Sequence, residues 1–366
     1  MGATNKNLRK ADGAQNDEFY TQYEDIQNEI NAYLELNPNL FRNKVVLLPC
    51  DDPEWSNFTK FFAQNFNTLG LKKLISTSYA TNSKKYKKPI QLSLFEVEDE
   101  KYDVTKTDVC GKIFTLTRDK NTDGKIDIND FEWEYLEGDG DFRSEEVRKL
   151  RDEADFIITN PPFSLFREFL AWIMEANKKF LIIGNVNCVS YKEVFPLIKN
   201  NLVWTGCRFN KRVNGKNMTF RVPDSYELSG TELYVDEAGR KFISVAGTGW
   251  FTNIDHGRRH MPLSLMTMAD NLKYSKHKEV LNNGYKKFDN YEAINIPFTD
   301  AIPSDYDGLM GVPISFIDKY CPEQFEIIDG IGRYSVMNNE ETKKEGKYLS
   351  MVEGKPQFFR IIIRRI

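Results

Sequence analysis

Short apolar runs alternate with amphipathic segments between about residues 40 and 205, and this alternation constrains the fold more than any other feature. It predicts, in order, a strand over 44–48, a helix over 56–66, strands over 71–79 and 154–159, a helix over 164–176 and a strand over 179–186. Strands that alternate with helices form a parallel sheet, and such sheets bind ligands at the carboxyl ends of their strands. The sequence therefore predicts an α/β fold with its functional site at that edge.

The segments around this alternation differ in character. Residues 1–16 are polar and predict a flexible N-terminus, whereas 17–36 has the periodicity of an amphipathic helix. A charged stretch over 81–136 interrupts the alternation and is interpreted as an insertion. Residues 231–254 predict strands with turns, and the segment 255–366 looks irregular.

Composition excludes several classes of protein. A hydrophobic fraction of 40% supports a packed core and argues against disorder. The scattered cysteines form no CxxC pair, so neither a disulfide framework nor a zinc site is indicated. The sequence shows neither a signal peptide nor an apolar run of the roughly 20 residues that a membrane span needs. We therefore expect a cytoplasmic protein without a membrane partner.

Charge is distributed unevenly along the chain. The net charge is −4, yet the segment 256–287, called the basic stripe below, carries five more basic than acidic residues. Its basic residues are Arg258, Arg259, Lys273, Lys276, Lys278, Lys286 and Lys287, and its acids are Asp270 and Glu279. Such a stripe can hold phosphate groups on an acidic protein, although a solvated surface gives the same pattern.

The residues Asn160, Pro161, Pro162 and Phe163 follow directly on the predicted strand over 154–159. Asn160 offers an amide oxygen, and the two prolines fix φ and lack N–H groups, which exposes carbonyl acceptors in a rigid turn. Two acceptors that face an exocyclic amino group draw its protons and free the nitrogen lone pair to attack an electrophile. Phe163 offers a flat ring on which a base can stack. The motif therefore predicts methylation of an amino group, although an ordinary turn after a strand also fits.

Seven blocks of sequence, in order along the chain, resemble the EcoRI-type adenine-specific DNA methyltransferases. They are 17–21 (DEFYT), 50–53 (CDDP), 138–144 (GDGDFRS), 160–168 (NPPFSLFRE), 191–195 (YKEVF), 250–254 (WFTNI) and 308–313 (GLMGVP). The resemblance implies a Rossmann-like fold that binds S-adenosyl-L-methionine, with a catalytic domain over 17–254 and a target-recognition region over 255–366. It also implies methylation of N6 of a flipped adenine in double-stranded DNA, within a restriction–modification or related system.

The resemblance further assigns cofactor-binding residues. The segment from Phe19 to Thr21 is expected at the methionine end of the cofactor. Asp141 is expected to accept a hydrogen bond from the amino group of the cofactor's own adenine. Asp51 and Asp52 lie in the loop that meets the cofactor, although they could instead cap the following helix. The predicted cofactor-binding residues are Phe19, Tyr20, Thr21, Pro49, Cys50, Asp51, Asp52, Asn57, Asp141, Phe142 and Asn160.

The same resemblance assigns contacts to the substrate. Trp250 and Phe251 occupy the block in which related enzymes place an aromatic ring against the flipped adenine. The basic stripe falls within the target-recognition region, which is expected to hold DNA. The predicted DNA contacts within the stripe are Arg258, Arg259, Lys273, Lys276 and Lys278.

Residues 119–130 match the calcium loop of an EF-hand, with oxygen-bearing side chains at the ligand positions and Gly124 at the sharp turn. A helix is predicted to follow over 130–136. The pattern predicts a structural Ca²⁺ site, although an acidic surface loop that needs no metal also fits. The predicted ligands are Asp119, Asn121, Asp123, the backbone carbonyl of Lys125, Asp127 and Asp130.

Two other functions remain open on the sequence alone. One is an amino-methyltransferase that acts on protein glutamine or RNA, because such enzymes use similar Asn-Pro-Pro-aromatic turns. The other is a calcium-binding interaction module on an inactive methyltransferase scaffold. The basic stripe favours DNA over the first, and the intact motif at Asn160 argues against the second. We expect a monomer, with a cognate restriction endonuclease encoded nearby but not stably bound.

Overall fold

The computed structural model describes residues 20–49, 51, 56–80, 99–120, 122, 124–207, 218–222, 233–332, 343–344, 347–348 and 350–366. The chain divides into two compact units. The first consists of Met1–Gly184 and Asn210–Ile254, and the second of Asn185–Phe209 and Asp255–Ile366. The predicted assignment of catalysis to 17–254 and target recognition to 255–366 stays a prediction.

The first unit is built from two sheets and the helices around them. Its strands are β1 (Tyr20–Thr21), β2 (Val45–Leu48), β3 (Lys73–Ser78), β4 (Lys112–Leu116), β5 (Glu132–Tyr135), β6 (Phe156–Thr159), β7 (Lys179–Asn185), β9 (Thr219–Arg221), β10 (Leu233–Val235), β11 (Lys241–Ser244) and β12 (Thr248–Thr252). Its helices are α1 (Tyr23–Leu36), α2 (Asn57–Gln64), α3 (Phe66–Leu69), α4 (Val104–Val109), α5 (Glu145–Glu153) and α6 (Phe166–Glu175).

The central strands of the larger sheet are parallel, in the order β3-β2-β6-β7. The predicted strands and helices of the alternation are confirmed, each within two residues at either end. Strand β2 lies in the middle of the parallel group, with Val46 opposite both Leu74 and Phe156. The predicted parallel strands are therefore confirmed as the centre of a sheet that contains both parallel and antiparallel pairs.

The outer strands of this sheet run differently. Strands β4 and β5 extend it beyond β3 and pair antiparallel, and both lie within the predicted insertion over 81–136. The helix predicted over 130–136 is wrong: a 3-10 turn at Ile128–Asp130 leads into β5. Alternate residues of β5 are buried and exposed, with Trp133 in the core, which is the period of a half-buried strand. The predicted half of an EF-hand therefore lacks its helix.

Helices pack on the sheet through aromatic and aliphatic side chains at helical spacing. In α1 the residues Ile26, Ile30 and Tyr33 are buried along one face. Helix α2 buries Phe58 and Phe62 against the same core. Burial of each such side chain contributes roughly 1.5–3 kcal/mol, so this packing dominates the stability of the unit.

The second sheet of the first unit is antiparallel, in the order β1-β9-β11-β10. The helix predicted over 17–36 begins only at Tyr23, because Tyr20 and Thr21 pair with Arg221 and Phe220 as strand β1. Residues 17–19 lie outside the described residues. The strands predicted over 231–254 are confirmed as β10, β11 and β12.

The second unit has regular structure where the sequence looked irregular. Its helices are α7 (Phe195–Lys199), α8 (Met268–Tyr274) and α9 (Lys278–Asn283). Its strands are β8 (Trp204–Thr205), β13 (Lys286–Lys287), β14 (Ile294–Asn295), β15 (Met310–Pro313), β16 (Phe325–Ile331), β17 (Lys343–Lys344), β18 (Lys347–Tyr348), β19 (Met351–Val352), β20 (Lys355–Pro356) and β21 (Arg360–Arg365). A five-stranded sheet runs in the order β13-β14-β15-β21-β16. The expectation of an irregular segment over 255–366 is therefore wrong.

Within the described part of the chain, every helix is too short or too polar to cross a bilayer.

A close backbone contact fixes the loop between β5 and α5. Gly140 has a φ of +90°, and a Cβ added there would lie 2.5 Å from the Ser78 carbonyl oxygen at the end of β3. A Cβ on Gly111 would lie 2.5 Å from the same oxygen. The Ala80 N–H group donates a hydrogen bond of 2.8 Å to the Asp139 carbonyl oxygen, which holds the same two backbone segments together. The loop that carries Asp141 is therefore held against the end of β3.

We predict that Gly140→Ala lowers the free energy of unfolding by about 2–4 kcal/mol, because the substitution adds both a strained φ and a backbone collision. Equilibrium unfolding in urea measures the change. Gly138→Ala is the matched control in the same loop, because a Cβ there meets no atom within 4 Å. Equal stability of the two variants would contradict the prediction.

Candidate active site

Several predicted site residues lie at the carboxyl edge of the parallel sheet. Strands β2 and β6 are direct neighbours and end at Leu48 and Thr159. Pro49 and Asp51 follow the first strand and Asn160 follows the second, so the fold brings these two predicted segments together. This is the edge at which open α/β sheets bind ligands.

A buried carboxylate links the two strand ends. Asp51 is 8% exposed, and its Oδ2 atom lies 2.5 Å from the Thr159 hydroxyl, which directly precedes Asn160. The Oδ1 atom of Asp51 accepts a hydrogen bond of 2.7 Å from Ser56 Oγ. The Thr159 hydroxyl also lies 3.0 Å from the Pro49 carbonyl oxygen. Asp51 therefore ties the end of β6 to the loop after β2.

Ser56 in turn caps helix α2. Its Oγ accepts hydrogen bonds from the backbone N–H groups of Phe58 and Thr59, at 3.1 and 3.4 Å. The alternative expectation, that Asp51 or Asp52 caps this helix, is wrong for Asp51, because Ser56 is the capping residue. The Asp51 carbonyl accepts from the hydroxyls of Thr59 and Ser76, so the same network reaches β3.

The Asn-Pro-Pro-Phe motif forms a short connection from β6 into helix α6. Asn160 is half-buried and its Oδ1 atom is fully buried. Pro161 is buried and Pro162 half-buried, and a 3-10 turn at Phe163–Leu165 leads into the helix. The Phe163 ring is half-buried and meets the edge of Phe220 at a centroid distance of 6.3 Å.

Strand β1 brings a second predicted segment close to α2. The Asn57 side chain donates a hydrogen bond of 2.7 Å to the Thr21 carbonyl oxygen. The Thr21 hydroxyl is fully buried and has no hydrogen-bond partner among the described residues. Because a buried hydroxyl without a partner is costly, this group fits a position that a bound polar ligand completes. The Thr21 hydroxyl could therefore hold a cofactor, whereas the Asn57 amide is engaged by the Thr21 carbonyl oxygen. The cofactor role of both residues stays a prediction.

Asp141 is engaged by its own loop. Its carboxylate accepts hydrogen bonds from the Arg143 side chain at 2.6 and 2.9 Å and from the Arg143 backbone at 2.8 Å. The Arg143 side chain holds the pKa of Asp141 below its ordinary value, although partial burial opposes this shift. Arg143 also donates to Glu168 on α6, at 3.2 Å. The loop that carries Asp141 is thus connected to the helix that follows the Asn160 motif.

Three predicted site residues are core residues. Phe142 is 1% exposed and packs on Phe169 and Trp172 at 5.0 and 5.6 Å. Trp250 and Phe251 are completely buried and meet the rings of Phe58 and Phe166 respectively. These contacts give none of the three an exposed ring face, so we attribute them to packing. Their predicted contacts with cofactor and base stay untested predictions.

The basic stripe in the second unit separates into paired and unpaired cations. Arg258 meets Asp318 at 2.8 Å, Arg259 meets Asp255 at 3.7 Å, and Lys276 meets Asp300 at 2.6 Å. Arg258 also donates to two backbone carbonyl oxygens, and Arg259 lies over the Trp204 ring. Among the described residues, the cations of the stripe that form no ion pair are Lys273, Lys278 and Lys287. These three are the more available for DNA.

The calcium loop receives no support. The described residues contain no group of three His, Cys, Asp or Glu side chains that could hold a metal ion. Asp119 accepts backbone hydrogen bonds from Thr122 and Gly124, and Asp130 accepts from Lys120 and Asp127. Their carboxylates thus stabilise the turn. Asn121 and Asp123, two of the predicted ligands, lie outside the described residues, as do the predicted cofactor residues Phe19, Cys50 and Asp52.

Sequence reasoning missed the hydroxyl groups that hold the edge together. Thr159, Ser56, Thr59 and Ser76 all donate to Asp51 or lie within hydrogen-bond distance of it. Two signals in the sequence could have pointed to them: a threonine as the last residue of a strand before the motif, and a serine at a helix start. The pairing of Arg143 with Glu168 had no such signal.

These features define the class of protein: an α/β protein with an Asn-Pro-Pro-Phe turn and a buried carboxylate at the carboxyl edge of its parallel sheet. A buried hydroxyl without a hydrogen-bond partner among the described residues lies on strand β1. Comparison with protein families matches residues 7–366 to the family described as Adenine-specific methyltransferase EcoRI. The chain belongs to this family.

Curated relatives resemble the chain over nearly its whole length. It is 42% identical to the Type II methyltransferase M.EcoRI of Escherichia coli, over 99% of this chain and 97% of the relative. It is 33% identical to M.MgeORF184P of Mycoplasma genitalium and 32% identical to M.MpnI of Mycoplasma pneumoniae, both also Type II methyltransferases, each over 98% of both chains. No solved structure matches the chain.

We predict that Thr21→Val lowers the affinity for S-adenosyl-L-methionine about three- to tenfold, because valine keeps the shape but not the hydroxyl. The free protein should be as stable as the wild type or more so, since the Thr21 hydroxyl has no hydrogen-bond partner in the described ranges of the chain. Calorimetric titration and thermal unfolding measure the two effects.

Thr248→Val is the matched control. The Thr248 hydroxyl is also buried without a partner among the described residues, but Thr248 is not a predicted cofactor residue. Its substitution should leave cofactor affinity unchanged. An unchanged affinity in Thr21→Val would rule out the contact.

Proposed function

We propose that this chain transfers a methyl group from S-adenosyl-L-methionine to N6 of a flipped adenine in double-stranded DNA, as the modification enzyme of a restriction–modification system. The observation that carries the proposal is the position of Asn160 at the carboxyl edge of the parallel sheet, directly after Thr159 and its contact with Asp51. Membership in an adenine-specific methyltransferase family supports the same chemistry. The family also disfavours protein glutamine and RNA as substrates.

The motif residues would act on the amino group of the base. Asn160 Oδ1 and the Pro161 carbonyl oxygen are acceptors that orient the N6 protons, which leaves the nitrogen lone pair directed at the methyl group. Phe163 would stack on the base. The nitrogen attacks as a neutral amine and sheds its proton after transfer, so the site needs no strong base. Positioning supplies most of the rate enhancement.

The cofactor would lie along the same edge, in a Rossmann-like arrangement. When bound, it supplies a sulfonium-activated methyl group. The Thr21 hydroxyl and the Asn57 amide are groups that would hold it, and Asp141 lies in a loop fixed against the end of β3. The Asp51 carboxylate is occupied by hydroxyl groups, so we assign it to holding the edge rather than to direct cofactor binding.

The second unit would supply the target-recognition region over 255–366, within a chain whose catalytic domain is 17–254. Lys273 and Lys278 are exposed cations without an ion pair among the described residues, which suits contact with DNA phosphates. We further propose a monomer that acts independently of a cognate restriction endonuclease.

We predict that Asn160→Ala lowers the rate of methyl transfer to DNA by about 10²-fold or more and leaves cofactor affinity nearly unchanged. Asn160→Asp keeps an acceptor oxygen and should retain measurable activity. Incorporation of radiolabelled methyl groups into DNA, RNA and protein measures the rate and the substrate, and sequencing of DNA from expressing cells identifies the modified base and site. Full activity of Asn160→Ala would remove Asn160 from the mechanism, and labelling of RNA or protein alone would overturn the proposed substrate.

We predict that Thr159→Val lowers kcat about tenfold, because the loss of the hydroxyl contact to Asp51 loosens the residue that precedes Asn160. Thr159→Ser keeps the hydroxyl and should restore kcat. Steady-state kinetics of both variants, with unfolding curves alongside, separate positioning from stability. A destabilised Thr159→Val with normal kcat would show that the contact serves the fold alone.

A further inference from the structure

Two arginines are buried among the described residues, and they differ in their partners. Arg151 meets Asp152 at 2.9 Å and Glu175 at 3.0 Å, and it donates to the Trp172 carbonyl oxygen. Arg360, the first residue of β21, is 9% exposed and forms no ion pair among the described residues. Within the described part of the chain, its side chain makes one hydrogen bond, from Nε to Asn295 Oδ1, at 3.1 Å. Of the two buried arginines, Arg360 is thus the one without a counter-ion among the described residues.

A buried cation without an anion is costly to the folded protein. Burial lowers the pKa of Arg360 from its ordinary value. Among the described residues, the exposed Glu279 carboxylate, beyond ion-pair distance, opposes this shift without cancelling it. For Arg151, by contrast, the two carboxylates outweigh burial and raise the pKa. At Arg360 the free protein therefore bears the free-energy cost of burying a guanidinium, which carboxylates offset at Arg151.

Arg360 and Asn295 together present hydrogen-bond donors. Because arginine only donates, Asn295 must direct Oδ1 at it, which leaves the Asn295 Nδ2 group as a further donor. The Nη groups of Arg360 have no partner among the described residues and are not among the fully buried nitrogen atoms, so they reach solvent. The site thus presents donors at short range to whatever ligand enters it.

The sheet places this pair beside the basic stripe. Arg360 begins β21 opposite Pro313 and Ile331, which end β15 and β16. Asn295 ends β14 at the same edge and pairs with Lys286 of β13, a residue of the basic stripe. All of these residues belong to the second unit.

We propose that Arg360, oriented by Asn295, binds a backbone phosphate of the substrate DNA. A phosphate offers both the negative charge and the oxygen acceptors that the pair lacks, and a guanidinium can meet two phosphate oxygens at once. A guanine edge also offers two acceptors but carries no charge, so it would leave the buried cation without compensation. The inference rests on the proposed function only in taking DNA as the substrate.

The test compares Arg360→Met with Arg364→Met in the full-length protein. Both remove one positive charge from β21, but Arg364 is exposed and paired with Glu326 at 2.7 Å. Fluorescence anisotropy with a labelled duplex, over a series of salt concentrations, reports affinity and its salt dependence. We expect Arg360→Met to bind about tenfold more weakly and to reduce the slope of log affinity against log salt by about 0.9, while Arg364→Met changes neither.

Thermal unfolding of the free proteins supplies the second readout. Arg360→Met should melt at the wild-type temperature or above it, because methionine removes an uncompensated buried charge. A variant that fails to fold, or that melts lower and binds DNA normally, would overturn the proposal and make Arg360 a structural residue. Arg360→Lys keeps the charge but not the two-pronged geometry, so it should retain the salt slope and lose part of the affinity.

Two duplexes separate a phosphate from a base contact. One carries the sequence that the enzyme methylates and the other a scrambled sequence of the same composition. If Arg360 contacts a phosphate, Arg360→Met should weaken binding to both duplexes equally. A loss of affinity confined to the duplex with the target sequence would overturn the phosphate assignment in favour of a base contact. If wild-type protein binds DNA but transfers no methyl group, the proposed function fails, and the scrambled duplex alone still tests the anion site.

Discussion

The buried carboxylate of Asp51 is the interaction on which the functional edge depends. A charge removed from water is tolerated only when hydrogen bonds replace its hydration. Its partners are Thr159 at the end of β6 and Ser56 at the start of α2, so displacement of either element would leave a buried carboxylate oxygen without its hydrogen bond. The free-energy cost of losing these bonds favours the observed positions of β2, β6 and α2. These bonds also hold the turn that begins at Asn160, because Thr159 directly precedes it.

The fold was predictable where periodicity and burial agreed. Strands β2, β6 and β7 are largely continuous apolar runs because both faces of a parallel sheet are covered, and such runs are recognisable in the sequence. The helix predicted over 130–136 failed because short half-buried strands and helix starts look alike over so few residues. The sheet of the second unit was missed because most of its strands are short and paired far along the chain, which leaves little local pattern.

The candidate site was predictable in part. Asn160 was found from the Asn-Pro-Pro-Phe motif after a buried strand, and Asp51 from the family resemblance of its loop. Their proximity follows because neighbouring strands of a parallel sheet end at the same edge. What the sequence could not reveal is which side chains are already engaged within the protein. Arg258, a predicted DNA contact, pairs with Asp318 sixty positions away in the chain. Trp250, a predicted base contact, is buried in the core. Both contacts stay predictions. Partner choice of this kind is set by tertiary structure alone.

The contact of Gly111 and Gly140 with the Ser78 carbonyl oxygen also bears on how such enzymes could be trimmed or recombined. In sequence, the stretch over 81–136 resembles a removable cassette. In three dimensions its strands β4 and β5 form one side of the main sheet, and the backbone at Gly111 packs against the loop that carries Gly140 and Asp141. A shortened enzyme without this stretch would lose both the two strands and the packing that holds the Asp141 loop. Grafting between relatives should therefore exchange the whole block from β3 to α5 rather than the stretch alone.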